Sequence, residues 1–330
     1  MCLIVNYQLL LVKARAVDMR LARKSTSAKL WIADLDECHG CATPCRDPMR
    51  KSYIYGTKFQ EVLIIQNNTR LGYIMGRVDN KVAIITGAAS GLGLASAKRL
   101  AQEGASVIMA DIDVARGEIE AANIDGAAFV KLDVTSESAW EKLVDDVVSD
   151  YGSLDILLNC AGVAELATIE QTSEALWRKV NAVGTDGTFF GCKHALRVMK
   201  AQGRGSIINM CSTASIQGGP AIFAYATSKS AIRGMTKSVA CLSAQAGYGV
   251  RCNSIHPGNM STPMLDTMYN IVLEHDPVTA AQMKKSWVGD PVDVANMVLF
   301  LSSDESVSVN GAEMVIDNTV TITEGMVPKI

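Results

Sequence analysis

The stretch VAIITGAASGLG (Val82–Gly93) decides the fold of this 330-residue chain. VAIIT predicts a fully buried β-strand, and the glycine-rich turn TGAASGLG leads from it into a helix predicted from Gly91 to Glu103. Glycines let a backbone approach a pyrophosphate closely, and the first turn of a helix offers unpaired N–H groups to its charge. Such a turn alone would also fit a plain loop, but its place after a buried strand indicates a dinucleotide-binding unit.

Beyond Lys81 the chain alternates between strand and helix patterns. Strands are predicted at 106–110, 155–159, 206–210, 250–255 and 313–316, and helices at 137–150, 172–200, 224–246 and 291–302. This alternation predicts an α/β protein with a Rossmann-like, doubly wound parallel sheet of about seven strands and helices on both faces. The apolar segment 260–288 follows the strand predicted at 250–255, at an edge where the loops of parallel sheets build ligand crevices. We expect it to form a substrate lid, and the compatible alternative is a short helix that packs on the core.

The first 74 residues differ from the rest in charge and pattern. They hold 11 Lys and Arg against 6 Asp and Glu, whereas the remainder holds 20 against 28. They show no steady period of 2 or 3.6, so we interpret residues 1–74 as an N-terminal extension, poorly ordered or not native, ahead of a domain at 75–330. The alternative is a zinc site in CHGCATPC, formed by Cys38, His39, Cys41 and Cys45, but these residues lack a distant second ligand pair.

Composition excludes several classes of partner. A net charge of −3 with no dominant basic face argues against nucleic acid, and no apolar run reaches the roughly 18 residues of a membrane span. Nine scattered cysteines suggest a reducing, cytoplasmic location. The histidines show no ligand spacing, with His194 expected on a helix surface and His256 in a loop, so no metal site is predicted in the core domain.

Asp111 ends the second predicted strand, 18 residues after Gly93. A carboxylate there accepts hydrogen bonds from the ribose 2′-OH of NAD and repels the 2′-phosphate of NADP. The glycine turn also contains no Arg or Lys that could bind this phosphate. The sequence therefore favours NAD, although Asp111 could instead cap a helix that begins near Asp113.

YATSK (Tyr225–Lys229) places a phenol and an ammonium four residues apart. On a helix these positions share one face, and a nearby ammonium favours the phenolate, which makes tyrosine a better acid–base group. Taken alone, the pair would fit an ordinary helix surface.

The spacing T-G-x-x-x-G-x-G together with Y-x-x-x-K resembles the short-chain dehydrogenase/reductase family from about Met75 to the C-terminus. Further motifs follow in the family's order. They are LDV with Asp133 and Val134, NCAG (159–162) with Cys160 in place of an asparagine, Asn181, Ser212 thirteen residues before Tyr225, and HPGNMSTPM (256–264). The ending VIDNTV (315–320), in place of a strand that ends Asp-Gly-Gly, looks most similar to bacterial 3β/17β-hydroxysteroid and alicyclic alcohol dehydrogenases.

The resemblance implies hydride transfer between NAD(H) and an apolar cyclic secondary alcohol or ketone. Tyr225 would be the general acid and base, Lys229 its activator, Ser212 the ligand of the substrate oxygen, and Asn181 the holder of a water in a proton relay. The implied cofactor-binding residues are Gly87, Ser90, Gly91, Leu92, Gly93, Asp111, Ile112, Asp133, Val134, Asn159, Ala161, Gly162, Tyr225, Lys229, Pro257, Gly258, Met260 and Thr262. The substrate would contact Ser212, Gln217, Met264 and Met268.

The resemblance also implies a homo-oligomer, a dimer or tetramer. Two alternatives stay open at this stage. One is a 3-oxoacyl-thioester reductase of the same family, and the other is a non-catalytic NAD-binding sensor, which would have no need of the Tyr225–Lys229 pair.

Overall fold

The computed structural model describes residues 76–283 and 286–323, together with the backbone of four short strands earlier in the chain. The chain divides into two compact units, Met1–Met75 and Gly76–Ile330. In the first unit, an antiparallel sheet has the order β1 (Leu21–Ala22), β2 (Lys29–Ile32), β3 (Tyr53–Gly56) and β4 (Leu63–Ile65). The cysteines and the histidine of CHGCATPC lie outside the described residues.

The second unit is a doubly wound α/β fold with a seven-stranded parallel sheet, as the sequence predicts. Its strands are β5 (Val82–Thr86), β6 (Ser106–Asp111), β7 (Ala127–Lys131), β8 (Ile156–Asn159), β9 (Gly205–Met210), β10 (Val250–Pro257) and β11 (Glu313–Ile316). The strand order is β11-β10-β9-β8-β5-β6-β7. The order reverses between β5 and β8, and such a switch point opens a ligand crevice at the carboxyl ends of the strands.

Helices cover both faces of this sheet. They are α1 (Gly91–Gln102), α2 (Val114–Ala122), α3 (Glu137–Tyr151), α4 (Glu174–Asn181), α5 (Gly187–Gln202), α6 (Phe223–Ala246), α7 (Pro263–His275), α8 (Pro277–Met283) and α9 (Pro291–Ser302). One buried apolar cluster joins α1, α2 and α9 to the sheet, and a second joins α3, α5 and α6 to it. Burial on both faces explains why the first four residues of VAIIT are all apolar.

The strand β7 and the helices α7 and α8 were not individually predicted. β7 (AAFVK) is an edge strand whose residues are half-buried or exposed, so its apolar signal is weak. The helix α2 before it begins near Asp113, as the sequence analysis anticipates, and its N-cap is Asp113, whose carboxylate accepts the N–H of Arg116 at 3.1 Å.

Three predictions are corrected in detail. The helix predicted at 172–200 is broken by a π-helical turn, Ala182–Asp186, between α4 and α5. His194 is not on the surface: it is buried, with Nε2 at 3.4 Å from the Glu137 carboxylate. His256 is not in a loop: it is a fully buried residue of β10. Sequence spacing gave no sign of the burial of His256, because that burial comes from the packing of β10 against elements distant in the sequence.

The described part of the chain contains no helix long and apolar enough to cross a membrane. Within residues 76–283 and 286–323, no group of three or more His, Cys, Asp or Glu side chains is arranged to hold a metal ion.

A shortened protein that begins at Met75 is expected to fold and to keep full activity. Every described residue of the two buried clusters lies between Val78 and Leu301, so the second unit holds its own core. Circular dichroism, thermal unfolding and turnover of the shortened and full-length proteins would be compared. Aggregation or lost activity would show that residues 1–74 belong to the working structure, and stoichiometric zinc in the full-length protein would support the Cys38–Cys45 alternative.

Candidate active site

A cavity of about 590 Å³ opens at the carboxyl ends of the central strands. It brings together every residue that the sequence singles out for cofactor, catalysis or substrate, apart from Asn159 and Asn181. The structure therefore assembles five separate sequence motifs, spread over about 180 residues, around one space.

The glycine turn forms one wall of the cavity and leaves no room for a side chain at Gly87 or Gly93. Gly87 has φ +65°, and a Cβ there would stand 3.0 Å from the backbone of Ala161. A Cβ on Gly93 would stand 2.2 Å from the carbonyl oxygen of Gly87. Because glycine has no Cβ at these two positions, the N-terminus of α1 packs closely against the turn, as a pyrophosphate-binding turn requires.

A second helix N-terminus meets this turn. Thr262 is the N-cap of α7, and its methyl carbon lies 3.3 Å from the place of a Cβ on Gly91. The side chain of Ser90, the N-cap of α1, makes no capping hydrogen bond. Two helix N-termini and a seryl hydroxyl thus converge, and this arrangement fits a pyrophosphate group.

Asp111 lies where the ribose of an adenosine would be expected. Its Oδ2 accepts the N–H of Ala89 and its Oδ1 that of Asp113, both at 3.0 Å. It does not cap α2, since Asp113 does. Each oxygen keeps a lone pair for a ribose hydroxyl, and Ile112 beside it is 67% exposed. At the neighbouring strand end, the hydroxyl and N–H of Thr135 hold the pKa of the Asp133 carboxyl below its usual range.

Ser212, Tyr225 and Lys229 line the other end of the cavity. Tyr225 and Lys229 stand in the first turns of α6, and the Lys229 Nζ lies 5.5 Å from the centre of the Tyr225 ring. Lys229 is buried and its Nζ donates to the Met210 carbonyl at 2.6 Å, which fixes the ammonium beside the phenol. Ser212 Oγ accepts the N–H of Ala214 at 3.1 Å, so its hydroxyl proton stays available to a ligand.

The two asparagines outside the cavity have partners within the fold. Asn159 is buried in the sheet, and its amide donates to Asn209 Oδ1 at 2.9 Å. The Asn181 amide donates to the Trp177 carbonyl at 2.9 Å, and Thr185 donates its hydroxyl to Asn181 Oδ1 at 3.1 Å. The side chain of Asn181 thus stabilises the end of α4 at the π-helical turn, and its part in a proton relay stays a prediction.

The substrate side of the cavity is apolar and includes residues that the sequence analysis did not single out. Met264, Leu265 and Met268 of α7 stand there together with Val163, Ala164, Ile222 and Val320. Val163 and Ala164 directly follow NCAG, so a longer reading of that motif could have included them. Val320 carried no signal: it reaches the cavity in the C-terminal turn, where its carbonyl accepts the Gln217 amide at 3.5 Å.

Two cysteines also line the cavity but stay protonated at neutral pH. Burial raises the pKa of Cys160 to about 11, and burial likewise raises that of Cys211 to about 11. Since the thiolate is the reactive form, both thiols act here as small, nearly apolar wall groups. Of the described residues that line the cavity, only Lys229 has a cationic side chain, and only Asp111 and Asp133 have anionic ones.

Comparisons with known proteins agree with this geometry. A family model described as enoyl-(acyl carrier protein) reductase, which belongs to the short-chain dehydrogenases/reductases, matches residues 87–321. The chain is 39% identical over 243 residues to a 3-alpha-(or 20-beta)-hydroxysteroid dehydrogenase of Mycobacterium tuberculosis, covering 73% of this chain and 90% of that protein. It is 38% identical to an NADP-dependent (R)-specific alcohol dehydrogenase of Lentilactobacillus kefiri, covering 74% of this chain and 98% of the relative.

A solved structure shares the fold. The crystal structure of levodione reductase superposes with a TM-score of 0.69 at 30% identity, over 73% of this chain and 97% of that one. Relatives at 35–39% identity include both hydroxysteroid and cyclic alcohol dehydrogenases. The family match, these relatives and the shared fold lead to one conclusion: the chain belongs to the short-chain dehydrogenase/reductase family.

Proposed function

We propose that this protein is an NAD-dependent dehydrogenase that oxidises an apolar cyclic secondary alcohol, of the hydroxysteroid kind, or reduces the corresponding ketone. The observation that supports this proposal most directly is the cavity, in which Ser212, Tyr225 and Lys229 stand beside an apolar wall. Lys229 is the only cationic side chain among the described residues that line it. The names of the relatives, which act on hydroxysteroids and alcohols, support the same substrate class.

The residues present account for the proton chemistry. When bound, the nicotinamide supplies the redox chemistry, accepting a hydride from the alcohol carbon or returning it to the ketone. Ser212 donates its free hydroxyl proton to the substrate oxygen and stabilises the charge that develops there. Tyr225 takes the alcohol proton as general base in oxidation and gives it back in reduction. Lys229, held by the Met210 carbonyl, keeps its ammonium 5.5 Å from the centre of the Tyr225 ring, beside the group that exchanges the proton.

The choice of NAD over NADP rests on Asp111. Its two oxygens, held by backbone N–H groups, accept ribose hydroxyls but repel a phosphate. One relative is named as NADP-dependent, so the family accommodates both cofactors. In this chain the residue that would set the preference between NAD and NADP is Asp111.

Asp111→Ala combined with Ile112→Arg is expected to invert the cofactor preference toward NADP. Removing the carboxylate lifts a repulsion, and a guanidinium at the exposed position 112 supplies a phosphate partner. Ala88 of the glycine turn is fully buried, so an arginine there could not reach the phosphate. The ratio of kcat/KM for the two nucleotides would be measured, with Asp111→Asn as the control that removes only the charge. A wild type that already prefers NADP would refute the role of Asp111.

A thioester reductase is the second candidate, because the description of the matching family model names acyl carrier protein. Such a substrate carries phosphate on its carrier arm, and anion recognition usually uses Arg or Lys. The described lining residues offer only Lys229, which lies buried beside Tyr225. This charge distribution favours the alcohol. A dimer or tetramer and a cytoplasmic location stay predictions from the family resemblance and the composition.

The deciding experiment is a panel of substrates followed at the NADH absorbance band. Hydroxysteroids, alicyclic alcohols, linear alcohols, sugars and 3-hydroxyacyl thioesters would each be tested with NAD and with NADP. Turnover of ring alcohols with NAD supports the proposal. Turnover of thioesters alone favours the second candidate, and nucleotide binding without turnover of any substrate indicates a sensor.

A further inference from the structure

His256 stands directly behind the wall that carries Ser212. It is fully buried in β10, and both ring nitrogens face seryl hydroxyls. Nδ1 lies 2.9 Å from Ser215 Oγ, and Nε2 lies 2.8 Å from Ser254 Oγ. Nδ1 is also 3.3 Å from the carbonyl oxygen of Ser212, which is 44 residues away in the sequence. The next two residues, Pro257 and Gly258, line the cavity.

The directions of these hydrogen bonds follow from the proton count. Ser215 donates its single hydroxyl proton to the Ser212 carbonyl at 2.6 Å, so toward His256 its oxygen can only accept. Nδ1 must therefore carry a proton. In a neutral imidazole Nε2 is then the acceptor, and it takes the proton of Ser254, whose other partner, the Ala312 carbonyl, is at the longer distance of 3.4 Å. The donations run in one direction, from Ser254 through His256 and Ser215 to Ser212.

The last acceptor in this series of hydrogen bonds is Ser212, the residue that would bind the substrate oxygen. The Ser212 carbonyl accepts the hydroxyl of Ser215 and also its N–H at 3.0 Å, which closes the short turn Thr213–Ser215. Within the same turn Ser212 Oγ accepts the N–H of Ala214. The orientation of the Ser212 hydroxyl thus depends on a turn that His256 holds from behind.

We propose that His256 is a positioning residue: as a neutral Nδ1–H imidazole it holds Ser215, and through Ser215 it aims the hydroxyl of Ser212 at the substrate oxygen. This inference rests on the proposed function, because it assigns His256 a part in the same reaction.

The surroundings agree with a neutral ring. Burial lowers the pKa of His256 below its usual range. The charged groups that face it are Glu313 of β11 and Arg233 and Lys237 of α6. Both cations are paired with Glu313, at 2.8 Å and 2.5 Å, so the cluster brings one carboxylate and two cations near the imidazole. Arg233 also approaches the Ser215 carbonyl at 3.4 Å.

The first test reads the ring directly, in the full-length protein without cofactor. Nitrogen-15 NMR of labelled histidine should show His256 as the neutral Nδ1–H tautomer at pH 8, and its protonation should set in only below the ordinary histidine pKa of about 6.5. Because the unfolded chain takes up a proton that the folded state resists, the Tm of the wild type should fall as pH drops below about 6.5. His256→Asn should lose this part of the pH dependence. An Nε2–H tautomer, or protonation near pH 6.5, would overturn the inference.

The second test uses variants that separate positioning from packing. Ser215→Ala leaves His256 in place but removes the hydroxyl that links the imidazole to the Ser212 carbonyl. It should lower kcat about 10-fold, in the range expected when a catalytic group is misplaced. His256→Leu should do the same, whereas His256→Asn, whose amide donates from nearly the place of Nδ1, should stay within about 3-fold of the wild type. Cyclohexanol and a hydroxysteroid would serve as probes, and NAD affinity, measured by fluorescence, should not change.

The outcomes distinguish this inference from the proposed function. Ser215→Ala with the kcat of the wild type, or His256→Asn as impaired as His256→Leu at equal Tm, would overturn the positioning role alone. An unchanged kcat in Ser212→Ala, or no turnover of any alcohol by the wild type, would refute the proposed function and the positioning role with it.

Discussion

Replacing Tyr225 by phenylalanine is expected to lower kcat at least about 100-fold, the usual scale of general acid–base catalysis, while NAD affinity and Tm stay close to those of the wild type. The substitution removes one oxygen from a half-buried ring on the cavity wall. Lys229 keeps its bond to the Met210 carbonyl, so the ammonium stays in place with no phenol beside it. The loss should therefore appear in the chemical step and not in folding or cofactor binding.

The matched control is Tyr248→Phe, which removes the same atom from a tyrosine outside the cavity, beside Lys200. Steady-state kcat and single-turnover rates would be measured for both variants with the same alcohol. A correctly folded Tyr225→Phe protein that retains turnover would contradict the proposed acid–base role. Equal losses in both variants would point to a general effect of removing a tyrosine hydroxyl.

A ring alcohol is expected to exceed a short linear alcohol in kcat/KM by well over tenfold. Each buried CH₂ contributes about 0.8 kcal/mol, so the three additional carbons of cyclohexanol over 2-propanol add about 2.4 kcal/mol, or about 60-fold. The wall that would bury them contains Met264, Met268, Ile222 and Val320. Methionine side chains adapt to irregular apolar outlines, so larger ring systems should gain further.

Val320 offers a direct test of that wall. Val320→Trp should reduce kcat/KM for the largest rings much more than for 2-propanol, because the indole would occupy space in the cavity. Ile322→Trp is the control, since Ile322 lies two residues further on, is 82% exposed and does not line the cavity. A preference of the wild type for a sugar, a short polyol or an acyl thioester would refute the apolar pocket and leave the dehydrogenase assignment intact.

Local patterns account for what the sequence predicted well. The strand–turn–helix at Val82–Gln102 is visible because a strand buried on both faces is apolar throughout and because the turn admits only glycine at its close contacts. The pair Tyr225 and Lys229 is visible because one helix turn separates them. The edge strand Ala127–Lys131 was missed for the opposite reason: a half-exposed strand has little apolar contrast with a loop.

The sequence by itself determined the fold class and most of the alternating strands and helices, because these depend on local periodicity, whereas the site residues followed from the family resemblance of its motifs. Only the tertiary structure decided that Val320 reaches the substrate side of the cavity and that His256 lies against the Ser212 carbonyl. Val320 meets Gln217 across 103 positions of the sequence, and His256 meets Ser212 across 44. These contacts arise when the parallel strands stack side by side and bring their carboxyl ends to one edge, and no local pattern records which side chains meet there.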